Sequence, residues 1–191
     1  MCAQLQMVWP KDRLKGRPER PVPEGYQLRY FREGDEDAYI QLMRMAGFTS
    51  WGSESLNAVL ENAIPDGVFF VEETATPKIV ATAMCWHRPT ATFPDGYEMG
   101  WVAADSAHSG KGLGRIVTAA ATRALLEHGA RQIYLLTDDF RLPGIKSYLR
   151  VGYVPLFHEP DMRERWQKVC SELGLKVDDC GGVDIESPEG S

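Results

Sequence analysis

Several features that mark whole classes of protein are scarce in this chain of 191 residues. Its four cysteines, Cys2, Cys85, Cys170 and Cys180, stand far apart and form no C-x-x-C pair. This spacing argues against a disulfide framework or a zinc site and favours reduced thiols in a cytoplasmic protein. The four histidines have no metal-ligand spacing with one another or with cysteine, so we expect no metal.

Long apolar runs and basic faces are also missing. No stretch approaches membrane-spanning length, and the first residues lack the charged-then-apolar order of a signal peptide, so we expect no membrane association. A net charge of −6, without a long Lys/Arg face, argues against nucleic-acid binding. The hydrophobic share of 43% and the charged share of 25% are those of an ordinary globular protein.

The length fits one domain with tails. Residues 1–24 contain five basic residues and four prolines, which predicts an N-terminal arm that is poorly ordered or extended along the domain. Residues 25–173 form the predicted domain. Residues 174–191 are acidic and contain glycine and proline, so they predict a loose tail or a strand-like segment.

Hydrophobic periodicity predicts the order of the elements within the domain. Residues 26–31 alternate like an edge strand, and a helix opens at Gly34-Asp35. Ser53 is a suitable N-cap for a second helix. Further strands are predicted at 68–74, 79–87, 97–103, 132–137 and 153–157, and further helices at 112–128, 144–150 and 160–173. Hairpins followed by alternating helices and strands predict an α/β fold with a mixed sheet and helices on both faces.

The segment from Tyr97 to His128 organises this prediction, because a strand leads through a polar turn into a glycine-rich helix start. Unpaired first-turn N–H groups and the helix dipole favour an anion there, and glycines let the backbone approach it. Lys111 and Arg115 add positive charge. The glycine spacing matches neither a P-loop nor the G-x-G-x-x-G dinucleotide fingerprint. A tightly packed turn without a ligand is the alternative.

Two motifs together resemble one family. Ser109-Gly110-Lys111-Gly112-Leu113-Gly114 resembles the acyl-CoA pyrophosphate loop, Gln/Arg-x-x-Gly-x-Gly/Ala, of the GCN5-related N-acetyltransferases (GNAT), with Ser109 in place of Gln or Arg. The segment from Gly144 to Tyr153 is similar to the later family signature, Ala-Ile-x-x-Tyr-x-x-x-Gly-Phe. Gly144 replaces Ala, Tyr153 replaces Phe, and Arg141 stands where Asn is often found. The resemblance covers roughly residues 26–157 and implies the GNAT fold.

The resemblance also implies acetyl-CoA as cosubstrate. Backbone groups of Val102, Ala103 and Ala104 would then meet the pantetheine arm, where this strand parts from its neighbour. The pyrophosphate would lie on the glycine loop and the first helical turn, formed by Ser109, Gly110, Lys111, Gly112, Leu113, Gly114 and Arg115.

Two side chains match catalytic roles of the family. Glu98, at the start of the strand that leads to the loop, would be the general base, since a partly buried carboxylate suits that task. A solvated strand residue is the alternative, and Asp105 and His108 are nearby candidates for the same role. Tyr148 would protonate the departing thiolate. Its alternative is a core tyrosine, because it shares helical spacing with Ile145.

Aromatic residues are candidates for the acceptor site. In the GNAT fold the loop between the first two helices borders that site, so Phe48 and Trp51 would line a pocket or simply fill the edge of the core. Trp86 is a further pocket candidate, together with His87 and Trp101.

The sequence therefore predicts an N-acetyltransferase that moves an acetyl group from acetyl-CoA to a primary amine by direct attack in a ternary complex. A non-catalytic acyl-CoA-binding or sensing module is the alternative. A cationic small molecule, an antibiotic amine and a protein N-terminus fit equally as acceptors. The C-terminal helix at 160–173 could pair with a second copy of the chain to form a homodimer.

Overall fold

The computed structural model describes residues 3–185. The strands are β1 Leu5–Val8, β2 Tyr26–Tyr30, β3 Ala63–Glu73, β4 Lys78–His87, β5 Gly96–Ala104, β6 Gln132–Thr137, β7 Val154–Phe157 and β8 Val183–Asp184. The α-helices are α1 Glu36–Met45, α2 Ser53–Asn62, α3 Leu113–Glu127, α4 Leu142–Val151 and α5 Met162–Glu172. None of the helices in the described part of the chain has the length and apolar character needed to cross a bilayer.

The strands of residues 3–185 form one mixed sheet in the order β2-β3-β4-β5-β6-β1-β7-β8. The pairs β5–β6 and β7–β8 are parallel, and the remaining neighbours are antiparallel. The β2–β5 meander followed by alternating helices and strands confirms the predicted fold class. It also confirms that residues 26–30 lie at an edge of the sheet.

Helices cover both faces of the sheet. Helices α3, α4 and α5 bury apolar side chains on one face, represented by Val117, Ile145 and Trp166. Helices α1 and α2 pack on the other face around Tyr39 and Leu56. Because successive strand residues point to opposite faces, Phe69 belongs to the first core cluster and its neighbours in β3 to the second.

The first residues of the chain differ from the predicted arm. Strand β1 lies inside the sheet, between β6 and β7, with Leu5 and Met7 fully buried. Its alternation has the period of a half-buried strand, but four residues give too short a pattern to predict one. Beyond β1 the chain does lie along the domain, where Arg20 donates to the Arg150 carbonyl oxygen (2.9 Å).

Other predicted boundaries shift by a few residues. The N-cap position of α2 is Gly52 rather than Ser53. The described part of the C-terminal tail adds β8, which pairs with β7. Residues 186–191 of that tail lie outside the described residues, as does Cys2. The sulfur atoms of Cys170 and Cys180 lie 3.3 Å apart as free thiols.

Candidate functional site

Strands β5 and β6 separate part-way along the sheet. They pair only where Gly96, Tyr97 and Glu98 meet residues 132–134, and β5 continues to Ala104 without a β6 partner. A register shift against β4 and a positive φ of 48° at Trp101 bend β5 at this place. We call the opening beyond Glu98 the strand split. Val102, Ala103 and Ala104, the residues expected at the pantetheine arm, lie along it.

The glycine loop at residues 109–114 presents unpaired backbone amides. The Ser109 amide donates to the Ser106 carbonyl oxygen (3.1 Å), whereas the next five amides, at residues 110–114, donate to no other described residue. Gly110 and Gly112 have φ values of +79° and +75°, which an L side chain rarely adopts. Consecutive N–H groups in such a turn form a concave site for an anion.

Positive side chains flank these amides. A Cβ atom on Gly112 would lie 2.9 Å from Nη2 of Arg115, so the guanidinium occupies the space beside the glycine. The Lys111 ammonium donates to the Tyr26 hydroxyl and lies 4.9 Å from the centre of that ring. The same hydroxyl is 2.8 Å from Nδ1 of His108. His108 is thus held at the base of the loop by β2.

Glu98 lies at the start of the strand split and is only 6% exposed. Its Oε2 accepts a hydrogen bond from Nη1 of Arg88 (2.6 Å), while Oε1 accepts none from the described residues. A Cβ atom on Gly100 would lie 3.1 Å from Oε1, so the glycine keeps this side of the carboxylate clear. Burial, with the charge of Glu98 as a second cause, raises the pKa of Tyr134 to about 12.

Asp105, the second candidate base, is engaged elsewhere. Its carboxylate accepts from Lys78 Nζ (2.6 Å) and from the Ala107 amide (2.9 Å). These hydrogen bonds lower the pKa of Asp105, which makes it a poor proton acceptor. Of the three candidates, Glu98 alone combines burial, a carboxylate oxygen without a described partner and a place at the strand split.

Tyr148 lies on α4, on the opposite face of the sheet from α1 and α2, and is buried in the core cluster there. Burial raises the pKa of its hydroxyl, against a smaller lowering by the charge of Arg141. A Cβ atom on Gly144 would lie 3.3 Å from the hydroxyl oxygen. The glycine that replaces the family's alanine therefore leaves room beside this hydroxyl.

The aromatic candidates gather on the face covered by α1 and α2. Trp51 is buried and its ring centre lies 4.7 Å from that of Tyr39, so it belongs to the core. Phe48 is only partly buried and meets Trp101 edge-on at 5.4 Å. Trp86 stands directly opposite Glu98 across the β4–β5 pair.

Sequence reasoning missed the contacts that two arginines make in this region. Arg88 binds Glu98, and its guanidinium lies 5.1 Å from the centre of the Trp86 ring. Arg141 lies 4.1 Å from the centre of the Phe48 ring and so connects the loop before α4 with the loop between α1 and α2. Only the hairpin register could have indicated Arg88, because it places the end of β4 beside the start of β5. No cluster of metal-ligating side chains occurs within residues 3–185.

Comparison with known families decides the identity of the fold. The sequence model described as "Acetyltransferase (GNAT) family" matches residues 30–153. The chain belongs to this family. Among the curated relatives of this GNAT chain, the mycothiol acetyltransferase of Rhodococcus erythropolis is 28% identical over 160 residues, which are 78% of this chain and 53% of that protein. The mycothiol acetyltransferase of Amycolatopsis mediterranei is 30% identical, covering 76% of this chain and 51% of that protein.

Solved structures agree with the GNAT fold. A GCN5-related N-acetyltransferase from Sphaerobacter thermophilus superposes with a TM-score of 0.61 at 19% identity, covering 80% of this chain and 47% of that one. The ribosomal-protein-S18-alanine N-acetyltransferase of Escherichia coli gives a TM-score of 0.54 at 16% identity, covering 66% of this chain and 76% of that one. The GNAT chain spans about half the length of the curated relatives it matches.

Proposed function

We propose that this GNAT chain transfers an acetyl group from acetyl-CoA to a primary amine within a ternary complex. The observation that carries the proposal is the strand split, which opens between Glu98 and the unpaired amides of the glycine loop. A backbone edge without a partner strand, followed by an anion-binding turn, suits a ligand that has an amide-containing arm and a diphosphate.

The residues present fit acetyl-CoA. The five amides of residues 110–114 would hold the pyrophosphate, with Arg115 beside them. The Lys111 ammonium would move away from the Tyr26 hydroxyl and approach the negative charge of the pyrophosphate. The exposed edge of β5 at Val102, Ala103 and Ala104 would hold the pantetheine arm by backbone hydrogen bonds. When bound, acetyl-CoA supplies the activated acyl carbon of a thioester.

Glu98 would receive the proton of the attacking amine, directly or through water. In the balanced reaction the amine nitrogen gains a bond to the acetyl carbon, and the bond between that carbon and sulfur breaks. The amine proton passes to Oε1 of Glu98, the oxygen that has no described partner. Burial within the sheet keeps bulk water from competing for this oxygen.

Tyr148 would supply the proton for the departing sulfur. A phenol hydroxyl is protonated at neutral pH, so the group enters the reaction with a proton to donate. Burial raises the pKa of the Tyr148 hydroxyl, so this proton would pass to the strongly basic thiolate rather than to water. Glu98 and Tyr148 belong to opposite faces of the sheet, and the strand split would be the opening through which both side chains reach one ligand. Proton removal and proton donation would therefore occur on opposite sides of the thioester.

A non-catalytic acyl-CoA-binding module is the second candidate, because the glycine loop alone would serve it. Release of free CoA thiol separates the two functions. The panel should contain amino acids, polyamines, aminoglycosides, peptide N-termini and mycothiol-related amines, the last because of the names of the curated relatives. We expect amine-dependent CoA release with at least one class. CoA binding by calorimetry without turnover on the whole panel would favour the module.

A further inference from the structure

In the ion pair between Glu98 and Arg88, each side chain keeps hydrogen-bonding groups that bind no described residue. Glu98 uses Oε2 for Arg88 and has no described partner at Oε1. Arg88 uses Nη1 for Glu98, and its side chain is 51% exposed. A guanidinium has five N–H donors, so most of those on Arg88 remain available to a ligand. An unsatisfied anionic acceptor and an unsatisfied cationic donor thus lie side by side at the strand split.

Trp86 adds a second donor beside Arg88. Its indole Nε1 is enclosed and has no hydrogen-bond acceptor among the described residues. The Arg88 guanidinium lies against the same indole ring, and Trp86 pairs with Glu98 across the two strands. An enclosed N–H group without an acceptor costs stability until a ligand supplies one. The ligand group that satisfies both Trp86 and Arg88 is an acceptor, and a carboxylate is the best match for a guanidinium.

We propose that the acceptor is a free α-amino acid, an inference that rests on the proposed acetyl transfer. Its amino group would bind Glu98 Oε1, and its carboxylate would bind Arg88 and Trp86. The amino and carboxylate groups of an α-amino acid are both bonded to the α-carbon and so lie close together. The Glu98 carboxylate and the Arg88 guanidinium are also adjacent, with Oε2 and Nη1 2.6 Å apart. A polyamine lacks the carboxylate and would bring further positive charge toward Arg88 and Arg141.

Aromatic rings on the face covered by α1 and α2 would contact the side chain of this amino acid. Phe48 and Trp101 stand on the same face as Trp86, partly buried at the edge of the core. Phe140, next to Arg141, is 75% exposed, and the Arg141 guanidinium lies 4.1 Å from the centre of the Phe48 ring and 5.3 Å from that of Phe140. Rings and a guanidinium plane favour stacking with a flat apolar group. An aromatic amino acid is therefore the preferred acceptor.

The test compares phenylalanine with phenylalaninamide, which differ only in the carboxylate. The amine of the amide is the less protonated of the two, so intrinsic reactivity favours the amide. We expect wild-type protein to prefer phenylalanine in kcat/KM of CoA release by about tenfold or more, which corresponds to roughly 1.4 kcal/mol. Arg88→Gln should abolish the preference. The control, Arg163→Gln, removes a similarly exposed arginine of α5, which pairs with Asp184, and should keep it.

Two results would overturn the inference. Equal kcat/KM for phenylalanine and phenylalaninamide in wild-type protein would show that the protein does not recognise the carboxylate. An equal loss for both substrates in Arg88→Gln would mean that Arg88 only positions Glu98. If no amine is acetylated, the proposed function fails. Calorimetry on the CoA-loaded protein then tests amino-acid recognition separately from acetyl transfer. Binding of phenylalanine but not of phenylalaninamide would support recognition, and binding of neither would contradict it.

Discussion

Gly112 lies where the backbone and an anionic ligand would have to touch. Its φ of +75° and the nearby Arg115 guanidinium leave little tolerance for a side chain. We expect Gly112→Asp to weaken CoA binding by about tenfold or more, or roughly 1.4 kcal/mol, because a carboxylate would face the pyrophosphate. Calorimetric titration with CoA measures this loss.

Gly129 offers a matched control for this substitution. It also has a positive φ, of +93°, but lies at the end of α3 opposite to the glycine loop, with open space around it. Gly129→Asp introduces the same charge and comparable backbone strain. Its CoA affinity should equal that of wild-type protein. Unchanged affinity in Gly112→Asp would remove the anion-binding interpretation of the loop.

A substitution at Tyr148 that removes one oxygen atom distinguishes a catalytic role of the hydroxyl from a packing role of the ring. Tyr148→Phe keeps the buried ring and removes only the hydroxyl beside Gly144. A general acid typically contributes about a hundredfold or more to the rate, so kcat should fall by that factor while CoA affinity stays unchanged. Steady-state kinetics and calorimetry measure the two quantities.

A purely structural Tyr148 predicts a different pair of results. Because no described residue forms a hydrogen bond with this hydroxyl, its loss would leave both turnover and CoA affinity near normal. Slow product release could hide a chemical defect in kcat. The rate of acetyl transfer in a single turnover therefore decides, and a normal rate there would exclude Tyr148 as the proton donor.

The local sequence was enough to predict the residues of the glycine loop and the candidate base. It was not enough to predict which residues contact them. The glycine spacing and the position of Glu98 at the start of its strand are visible within one segment. The contact between Arg88 and Glu98 depends on which residues of β4 and β5 face each other, and a bulge alters that register. The contact of Arg141 with Phe48 joins loops more than ninety residues apart. Neither contact leaves a periodic pattern.

At the scale of elements, β1 is the part of the fold that sequence analysis misplaced. Its partners lie at residues 134–137 on one side and 154–156 on the other, so no local signal identifies them. The long helices and the central strands were predictable because their apolar residues repeat over two or more turns or alternate over several positions. The segment before Trp9 has only four strand residues, and the prolines that follow made it resemble an arm.

Met7→Ala tests whether β1 belongs to the core. Met7 is fully buried between β6 and β7, so truncation should lower the free energy of unfolding by about 2–5 kcal/mol. Urea denaturation measures this change. Gln4→Ala, an exposed substitution next to the same strand, should change stability by less than about 0.5 kcal/mol. Equal, small effects of both substitutions would mean that β1 is a dispensable arm.

At the scale of the whole molecule, the candidate site lies where the sheet opens between two helical layers. Glu98 and the aromatic residues stand on the side of α1 and α2, and Tyr148 comes from α4 on the other side. The β5–β6 pair stops at Glu98, and under the proposed function one ligand would contact both sides there. The family resemblance implied this separation of strands, whereas the spacing of residues in the sequence could not show where pairing stops.

The central claim is acetyl transfer with Glu98 as base, and Glu98→Gln tests it most directly. The amide keeps the shape of the side chain and a hydrogen-bond acceptor for Arg88 but cannot take up the amine proton. The measurement is the single-turnover rate of acetylated amine formation, followed by mass, in protein saturated with acetyl-CoA. The account predicts a fall of about a hundredfold with unchanged CoA affinity. The control Glu61→Gln, an exposed residue of α2, should react at the wild-type rate. A rate in Glu98→Gln equal to that of wild-type protein would contradict the account.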